Sequence, residues 1–313
     1  SQFDIYISRS SPEEMKLSFE LFAGVEVTHL GLNWKGTNLR LRYEKQMGQW
    51  TVPGDIEDYT VTNEDVTTSP NSLAFCELDT TREVPVLMGP EHRLLSEKEL
   101  GSFSRNAKTI YKVADPIGDD HGLSARYTYP GNPQFEKGLA DILSFEVRQG
   151  RDHYEFELTF SNLVDPGWHP EYGCQLTYCA IGISYNAATG TKEVGKNAQS
   201  NFQSDFRADQ IMYIAGGVLL VDDNHEPQAE YMPRTVDGAI GDAETERIRF
   251  TLPKDLFSKS LQEATFQIAV GCQDDHGGAG IGDFRPVQAT GSGWMGGGGS
   301  KNGSNVYDWL ISP

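Results

Sequence analysis

Short stretches of strict apolar–polar alternation, separated by turn residues, constrain the fold of this chain more than any other feature. Leu143, Phe145 and Val147 alternate with polar residues, a turn follows at residues 150–152, and residues 154–160 then alternate in the same way. This pattern is typical of a β-hairpin with one buried face.

Further short strands are predicted along the rest of this part of the chain, at residues 176–185, 210–214, 218–222, 247–252 and 265–272. Turns rich in Gly, Asn and Asp separate them, and only residues 91–100 and 255–261 have helical character. Seven or more short strands with almost no helix predict an all-β fold. We expect a β-sandwich of immunoglobulin-like or jelly-roll type over residues 109–313.

Residues 1–108 form a different part of the chain. Strand-like segments occur there at residues 15–22, 25–34, 38–43 and 49–52. We expect a second, smaller β domain, or alternatively an extension that packs on the main sandwich. The sequence starts with neither an initiator Met nor an apolar signal segment, so we expect a processed or excised N-terminus.

The charge balance excludes several classes of partner. The chain has 26 Lys and Arg residues against 45 Asp and Glu residues, a net charge of −19. Nucleic acids and anionic membrane surfaces recruit basic patches, so neither is an expected partner. No apolar run approaches the roughly 20 residues that a helix needs to span a bilayer. A solvated acidic surface explains most of this charge, and bound divalent cations can explain the rest.

One short acidic motif occurs twice. The tetrapeptide Asp-Asp-His-Gly lies at residues 119–122 and again at 274–277. Clustered loop carboxylates supply the oxygen ligands that Ca²⁺ prefers. We therefore expect a calcium site at one end of the sandwich, with ligands among Asp115, Asp119, Asp120, Asp274 and Asp275. Solvated turn acids are the alternative, and a transition-metal site using His121 and His276 is less favoured because oxygens outnumber imidazoles.

Two of the four cysteines are predicted to face the core. Alternation puts Cys179 on the face of Ile181, and Cys272 on the face of Ile268 and Val270. These two cysteines either form a disulfide across the sandwich or remain buried thiols.

Two tryptophans lie in loops rich in Gly and Pro, which are neither helical nor part of a central strand. They are Trp168 and Trp294. The C–H faces of sugars stack on exposed flat rings, so we predict that both bind carbohydrate. The alternative is that they cap the core or contact another subunit. Trp34, Trp50 and Trp309 lie in strand-like segments and are expected in the core.

The C-terminal region combines a glycine tract with an apolar tail. Residues 296–299 are all Gly, which is typical of a flexible linker, whereas residues 305–310 are apolar enough to dock as a strand. We expect Val306 or Tyr307 to mark the buried side of that strand, which pairs within its own module or with a neighbouring chain.

Asn302 begins an Asn-Gly-Ser sequon and is a candidate N-glycosylation site.

An ordered set of segments carries a family resemblance. They are DPIGDDHG at 115–122, YTYP at 127–130, DI at 141–142, QDD at 273–275, FRPV at 284–287 and NVYD at 305–308. Over residues 109–313 the chain resembles the C-terminal binding module of glucodextranase and amylopullulanases. The resemblance implies a DOMON-like β-sandwich, related to family 9 carbohydrate-binding modules, that accompanies extracellular glycan-active enzymes. It also implies a secreted protein that can associate with the cell surface.

No G-x-S-x-G elbow, P-loop or H-E-x-x-H motif is present, so we expect neither catalysis nor an organic cofactor. Haem b, which related sandwiches in some respiratory complexes carry, is a distant alternative with Met295 and Lys301 as axial candidates.

The favoured function is a non-catalytic, calcium-stabilised extracellular module that binds a polysaccharide or a cell-surface glycan. The alternative is a homo-oligomeric subunit of a surface layer or filament, assembled by strand addition.

Overall fold

The computed structural model describes residues 93–311, except 187, 278, 279 and 301, together with the backbone of seven strands before residue 93. The chain divides into two compact units, Ser1–Glu91 and His92–Pro313. Residues 93–108, which the sequence analysis grouped with the N-terminal part, belong to the second unit.

The described strands of the first unit form two antiparallel sheets. Its strands are β1 (Phe3–Arg9), β2 (Glu14–Leu21), β3 (His29–Trp34), β4 (Thr37–Glu44), β5 (Gln49–Thr51), β6 (Val61–Glu64) and β7 (Leu73–Asp79). One sheet has the order β1-β2-β7-β6 and the other β3-β4-β5. Strands β2 to β5 overlap the four segments that the sequence predicts, and residues 25–28 of the second segment lie outside the described residues.

The second unit contains thirteen further strands among the described residues. They are β8 (Arg93–Leu94), β9 (Lys108–Ala114), β10 (Ile142–Gln149), β11 (His153–Phe160), β12 (Thr177–Ser184), β13 (Gln210–Ile214), β14 (Val218–Asp222), β15 (Pro227–Tyr231), β16 (Gly241–Asp242), β17 (Arg247–Pro253), β18 (Thr265–Asp274), β19 (Asp283–Phe284) and β20 (Asp308–Ile311). A five-stranded sheet has the order β16-β17-β11-β10-β9. An eight-stranded sheet has the order β19-β18-β12-β13-β14-β15-β8, with β20 also paired to β18.

Helical structure is sparse in the described part of the chain. It consists of α1 (Glu97–Leu100) and four 3₁₀ turns, at Pro170–Tyr172, Val236–Gly238, Lys254–Leu256 and Leu261–Glu263. The helix expected at residues 255–261 was wrong, since two separate turns flank that segment. None of the described helices is long and apolar enough to cross a membrane.

The two sheets of the second unit enclose one core, to which each contributes alternate residues. Phe145, Phe156 and Phe250 come from the five-stranded sheet, while Ile181 and Ile268 come from the eight-stranded sheet. All five side chains are at most 3% exposed. The predicted all-β sandwich is therefore confirmed, and the alternation seen in the sequence marks its inner face.

The eight-stranded sheet is buried on its outer face as well. All of β12 is buried, because Tyr178 and Ala180 pack in a second cluster with Phe202 from a loop and Phe284 from the short strand β19. Strands covered on both faces lose the polar half of their alternation, which explains the continuous apolar run of β12.

The cysteines of this unit are buried free thiols. Cys179 and Cys272 lie on neighbouring strands of one sheet, since Cys179 pairs with Val270 and Cys272 with Thr177 in the register of β12 and β18. Both belong to the core between the sheets, as does Cys174. The predicted faces are therefore confirmed, and of the two alternatives the structure describes buried thiols rather than a disulfide.

The C-terminal segment docks within its own unit. Strand β20 pairs antiparallel with β18, with Leu310 opposite Ile268. Val306, Tyr307 and Leu310 are each at most 1% exposed. The expected docking is confirmed, although the strand begins at Asp308, three residues later than predicted.

The glycine tract is packed, so the expected flexible linker was wrong. A Cβ on Gly296 would lie 2.0 Å from the Tyr307 hydroxyl, and one on Gly298 would lie 2.0 Å from the Arg126 carbonyl. Gly298 also has a φ of 83°. The tract is rich in Gly because its backbone passes too close to its neighbours for any side chain.

Candidate functional site

The loop that carries Trp168 has a tight local geometry. Asp165 accepts a 2.8 Å hydrogen bond from the backbone N–H of Gly167, which closes a turn. The next residue, Trp168, is 43% exposed. Beyond it, His169 donates its backbone N–H to the buried side chain of Gln175 at 3.0 Å. The backbone is therefore fixed by a hydrogen bond on each side of Trp168, and the indole remains exposed to solvent.

The loop that carries Trp294 is held in a similar way. The Ser292 hydroxyl accepts hydrogen bonds from the backbone N–H groups of Trp294 and Met295, at 3.4 and 3.1 Å. The backbone of this loop also accepts from Gly131 and Asn132, each at 2.8 Å. Met295 is half-buried whereas Trp294 is 46% exposed, so these backbone hydrogen bonds are what anchor the loop beside its exposed tryptophan.

The fold brings the two predicted tryptophans together. The ring centroids of Trp168 and Trp294 are 6.4 Å apart, with an angle of 40° between the ring planes. We call this pair the tryptophan platform. Two exposed indoles in contact offer a broad apolar surface, on which the C–H face of a sugar can stack.

A second cluster consists of carboxylates at the end of β9 and the start of β20. One oxygen from each of Asp115, Asp119 and Asp308 lies within 4.8 Å of the others. Asp308 is 3% exposed and accepts the backbone N–H groups of Ile142 and Trp309, at 3.0 and 2.7 Å. We call these three residues the acidic cluster.

The electrostatics of the acidic cluster are unfavourable without a counterion. Burial, and then Asp115 and Asp119, raise the pKa of Asp308 to about 8. Burial, and then Asp119 and Asp141, raise the pKa of Asp115 to about 7. Moreover, Asp115 Oδ2 is buried with no hydrogen-bond partner. Three convergent carboxylates with a free oxygen suit a hard divalent cation, which offsets their mutual repulsion.

Asp120, another predicted metal ligand, lies outside the acidic cluster. It is 1% exposed, and its Oδ2 accepts a hydrogen bond from the Tyr129 hydroxyl. Its Oδ1 is buried with no hydrogen-bond partner. Tyr129 in turn stacks on Tyr307, with ring centroids 5.1 Å apart, so Asp120 contributes to the docking of the C-terminal segment.

The second acidic pair has other partners. Asp274 accepts the backbone N–H of His276 at 3.1 Å and lies 3.5 Å from the Arg285 guanidinium. Asp275 accepts the backbone N–H of Gly277 at 2.8 Å. Within the described ranges, neither joins a group of acids close enough to share a metal. The repeated tetrapeptide therefore builds two different local structures.

Sequence reasoning missed Asp308 as a member of the acidic cluster. It was singled out only as the end of the NVYD segment, and no acidic neighbour marks it. Its proximity to Asp115 arises from the docking of β20 beside β10 and β18, which is a tertiary contact. The usable signal was an acid inside a segment that was predicted to dock as a buried strand.

A β-sandwich that presents an exposed aromatic surface is compatible with a binding module. The chain belongs to the family described as the C-terminal, SLH-like binding module of glucodextranase, whose model matches residues 110–313. The family is one of binding modules and not of catalytic domains. No curated protein matches the chain.

Proposed function

We propose that this chain is a non-catalytic carbohydrate-binding module and that Trp168 and Trp294 bind the glycan. The contact between these two exposed loop rings is the observation that carries the proposal. Two adjacent exposed aromatic rings form a contiguous apolar patch, which is typical of a binding surface, and a sugar ring that stacks on them covers that patch. Membership of a family of binding modules supports the same conclusion.

The charge around the tryptophan platform favours an uncharged glycan. Asp165 and Glu171 lie within three residues of Trp168, and the whole chain has a net charge of −19. A glycan that carries carboxylates or sulfates would be repelled by these groups. We therefore propose neutral polysaccharides, glucans among them, as the ligand class.

Binding to a panel of soluble polysaccharides tests this proposal. The panel contains dextran, pullulan and starch-derived oligosaccharides, with polygalacturonate as the acidic comparison. Isothermal titration should detect a neutral glycan, with binding weakened in the W168A and W294A variants. W309F is the matched control, since Trp309 is a tryptophan outside the platform. Unchanged affinity in both platform variants would refute the assignment.

The location that we propose is extracellular, at or near a cell surface. This rests on the description of the family as SLH-like and as part of glucodextranase. Binding of the purified chain to isolated cell walls, competed by soluble glycan, would support this location. Binding that no glycan competes would contradict it.

We further propose that the acidic cluster binds Ca²⁺ and so stabilises the fold. The ligands would be Asp115 and Asp119, as the sequence suggested, joined by Asp308 in place of Asp120, Asp274 and Asp275. A ligand that binds only the native state adds about 2.7 kcal/mol at a hundred-fold excess over Kd. Because the acids come from the end of β9 and the start of β20, the ion would tie the C-terminal strand to the sandwich.

Melting in calcium and in chelator tests the proposed ion. The wild type should melt at a higher temperature in calcium, whereas D308N should show little difference. D223N removes an exposed acid outside the cluster and is the control, which should respond like the wild type. Equal melting of the wild type in both conditions would contradict the proposal.

The alternative of assembly by strand addition has less support. Strand β20 already pairs with β18 in the same chain, so the C-terminal segment does not offer a free strand.

A further inference from the structure

Each nitrogen of the Arg285 guanidinium group has a partner in the protein. Its Nε donates to the Gln273 carbonyl at 2.7 Å, and one terminal nitrogen donates to the Trp294 carbonyl at 3.1 Å. The other terminal nitrogen lies 3.5 Å from the carboxylate of Asp274. The residue is only 6% exposed, so a buried charge is fixed in one orientation by three different partners.

The same guanidinium also lies over two aromatic rings. Its central carbon is 5.2 Å from the Phe135 ring centroid and 5.7 Å from that of Trp294. Phe135 and Trp294 meet edge to face, with their centroids 5.8 Å apart. Arginine favours such positions because its flat, weakly hydrated group stacks on aromatic faces.

Trp294 depends on these contacts for its orientation. Its ring is nearly half exposed, and the chain on either side, Gly293 and Met295–Gly296, contributes little bulk beside the indole. Apart from Trp168, the rings and cations next to this indole in the described part of the chain are those of Phe135 and Arg285. A loop side chain that is nearly half exposed can otherwise sample several rotamers.

We propose that Arg285 is a positioning residue, held by Asp274, that sets the Trp294 ring against Trp168 and thereby determines affinity for the glycan. This inference rests on the proposed function of the tryptophan platform. It gives a role to two conspicuous sequence features, the FRPV segment and the second acidic pair. Asp274 would neutralise and orient the arginine instead of binding a metal.

A purely structural role is the competing explanation, because Arg285 also links β18 to the residues that follow β19. A structural role would alter stability without a specific effect on the indole pair. Two indoles at 6.4 Å couple electronically, and this coupling gives a pair of bands of opposite sign in the far-ultraviolet circular dichroism spectrum. That signal reports the mutual orientation of the two rings and needs no glycan. Its loss in W168F identifies it.

The first test compares R285K with the wild type and with a matched control, R148K. Arg148 likewise pairs with a mostly buried carboxylate, that of Glu155 at 3.0 Å, and donates to the carbonyls of Ser104 and Ala107. Lysine keeps the charge but cannot stack or form the three-way contact. We expect R285K to lose the paired bands and to weaken binding of dextran, or of the neutral glycan that binds best, roughly tenfold. R148K should retain both.

A second variant covers the case in which R285K fails to fold. D274N removes the negative partner of Arg285 while leaving the side-chain shape, and should weaken the paired bands and the binding in the same direction. Unchanged bands and unchanged affinity in the folded variants would overturn the inference. Bands lost in R285K, with no glycan bound even by the wild type, would leave the positioning role standing and refute the proposed function.

Discussion

The C-terminal strand provides a sharp test of the fold, because neighbouring residues on it have opposite environments. Leu310 is fully buried in the core between the sheets, whereas Ile311 is 42% exposed. Replacing a buried Leu by Ala typically costs about 2–5 kcal/mol, and a largely exposed apolar residue costs about 0.5 kcal/mol or less. We therefore expect L310A to be far more destabilising than I311A.

The expected difference is large enough to measure by thermal or denaturant unfolding. In a unit of this size each kcal/mol shifts the melting temperature by about 2–4 °C, so L310A should melt roughly 4–20 °C lower. Since the chain has two units, the comparison uses the transition that responds to L310A, and light scattering confirms that the particle mass is unchanged. Equal, small shifts in both variants, or a change in mass without a change in melting, would refute internal docking.

Three further predictions concern the acidic cluster, the glycine tract and the sequon. In chelator, the pKa of Asp308 is raised to about 8 in the folded protein, so the folded state favours the protonated acid. The contribution of this proton to the free energy of unfolding is complete below about pH 4 and is lost as the pH rises through about 8. Wild type should thus melt lower at pH 8.5 than at pH 5, and D308N should show a smaller difference, with the remainder due to the raised pKa of Asp115; a flat wild-type profile would contradict the raised pKa of Asp308. G296A should destabilise by about 1–3 kcal/mol, because its Cβ would meet the Tyr307 hydroxyl. G293A, with nothing within 4 Å, should not, and equal melting of the two would show that the tract tolerates side chains. Asn302 is exposed, so native material from a glycosylating source should carry a glycan there, which an intact mass equal to that of the bare polypeptide would exclude.

The sequence predicted the strands well where one physical signal dominates. Residues 210–214 and 218–222 match β13 and β14 at both ends, because apolar runs there are bounded by turn residues. The segment at residues 100–112 is polar and shows no clear alternation, yet it contains most of β9. That strand lies at the edge of its sheet and is only partly buried, so its pattern is weak.

The candidate site was predictable only in its parts. The exposure of Trp168 and Trp294 followed from Gly and Pro in their loops, but their contact depends on how the loops are brought together by the sandwich. The same holds for Asp308, which meets Asp115 through strand docking. The glycine tract was misjudged because composition alone does not distinguish a flexible backbone from one that is closely packed.

The most direct test of the central claim is to find which tryptophans a bound glycan covers. Oxidative footprinting with mass spectrometry measures the reactivity of each indole, with and without the neutral polysaccharide that binds best. The account predicts that Trp168 and Trp294 are reactive in the free protein and protected together in the complex. Protection at other residues, with both indoles still reactive, would contradict it.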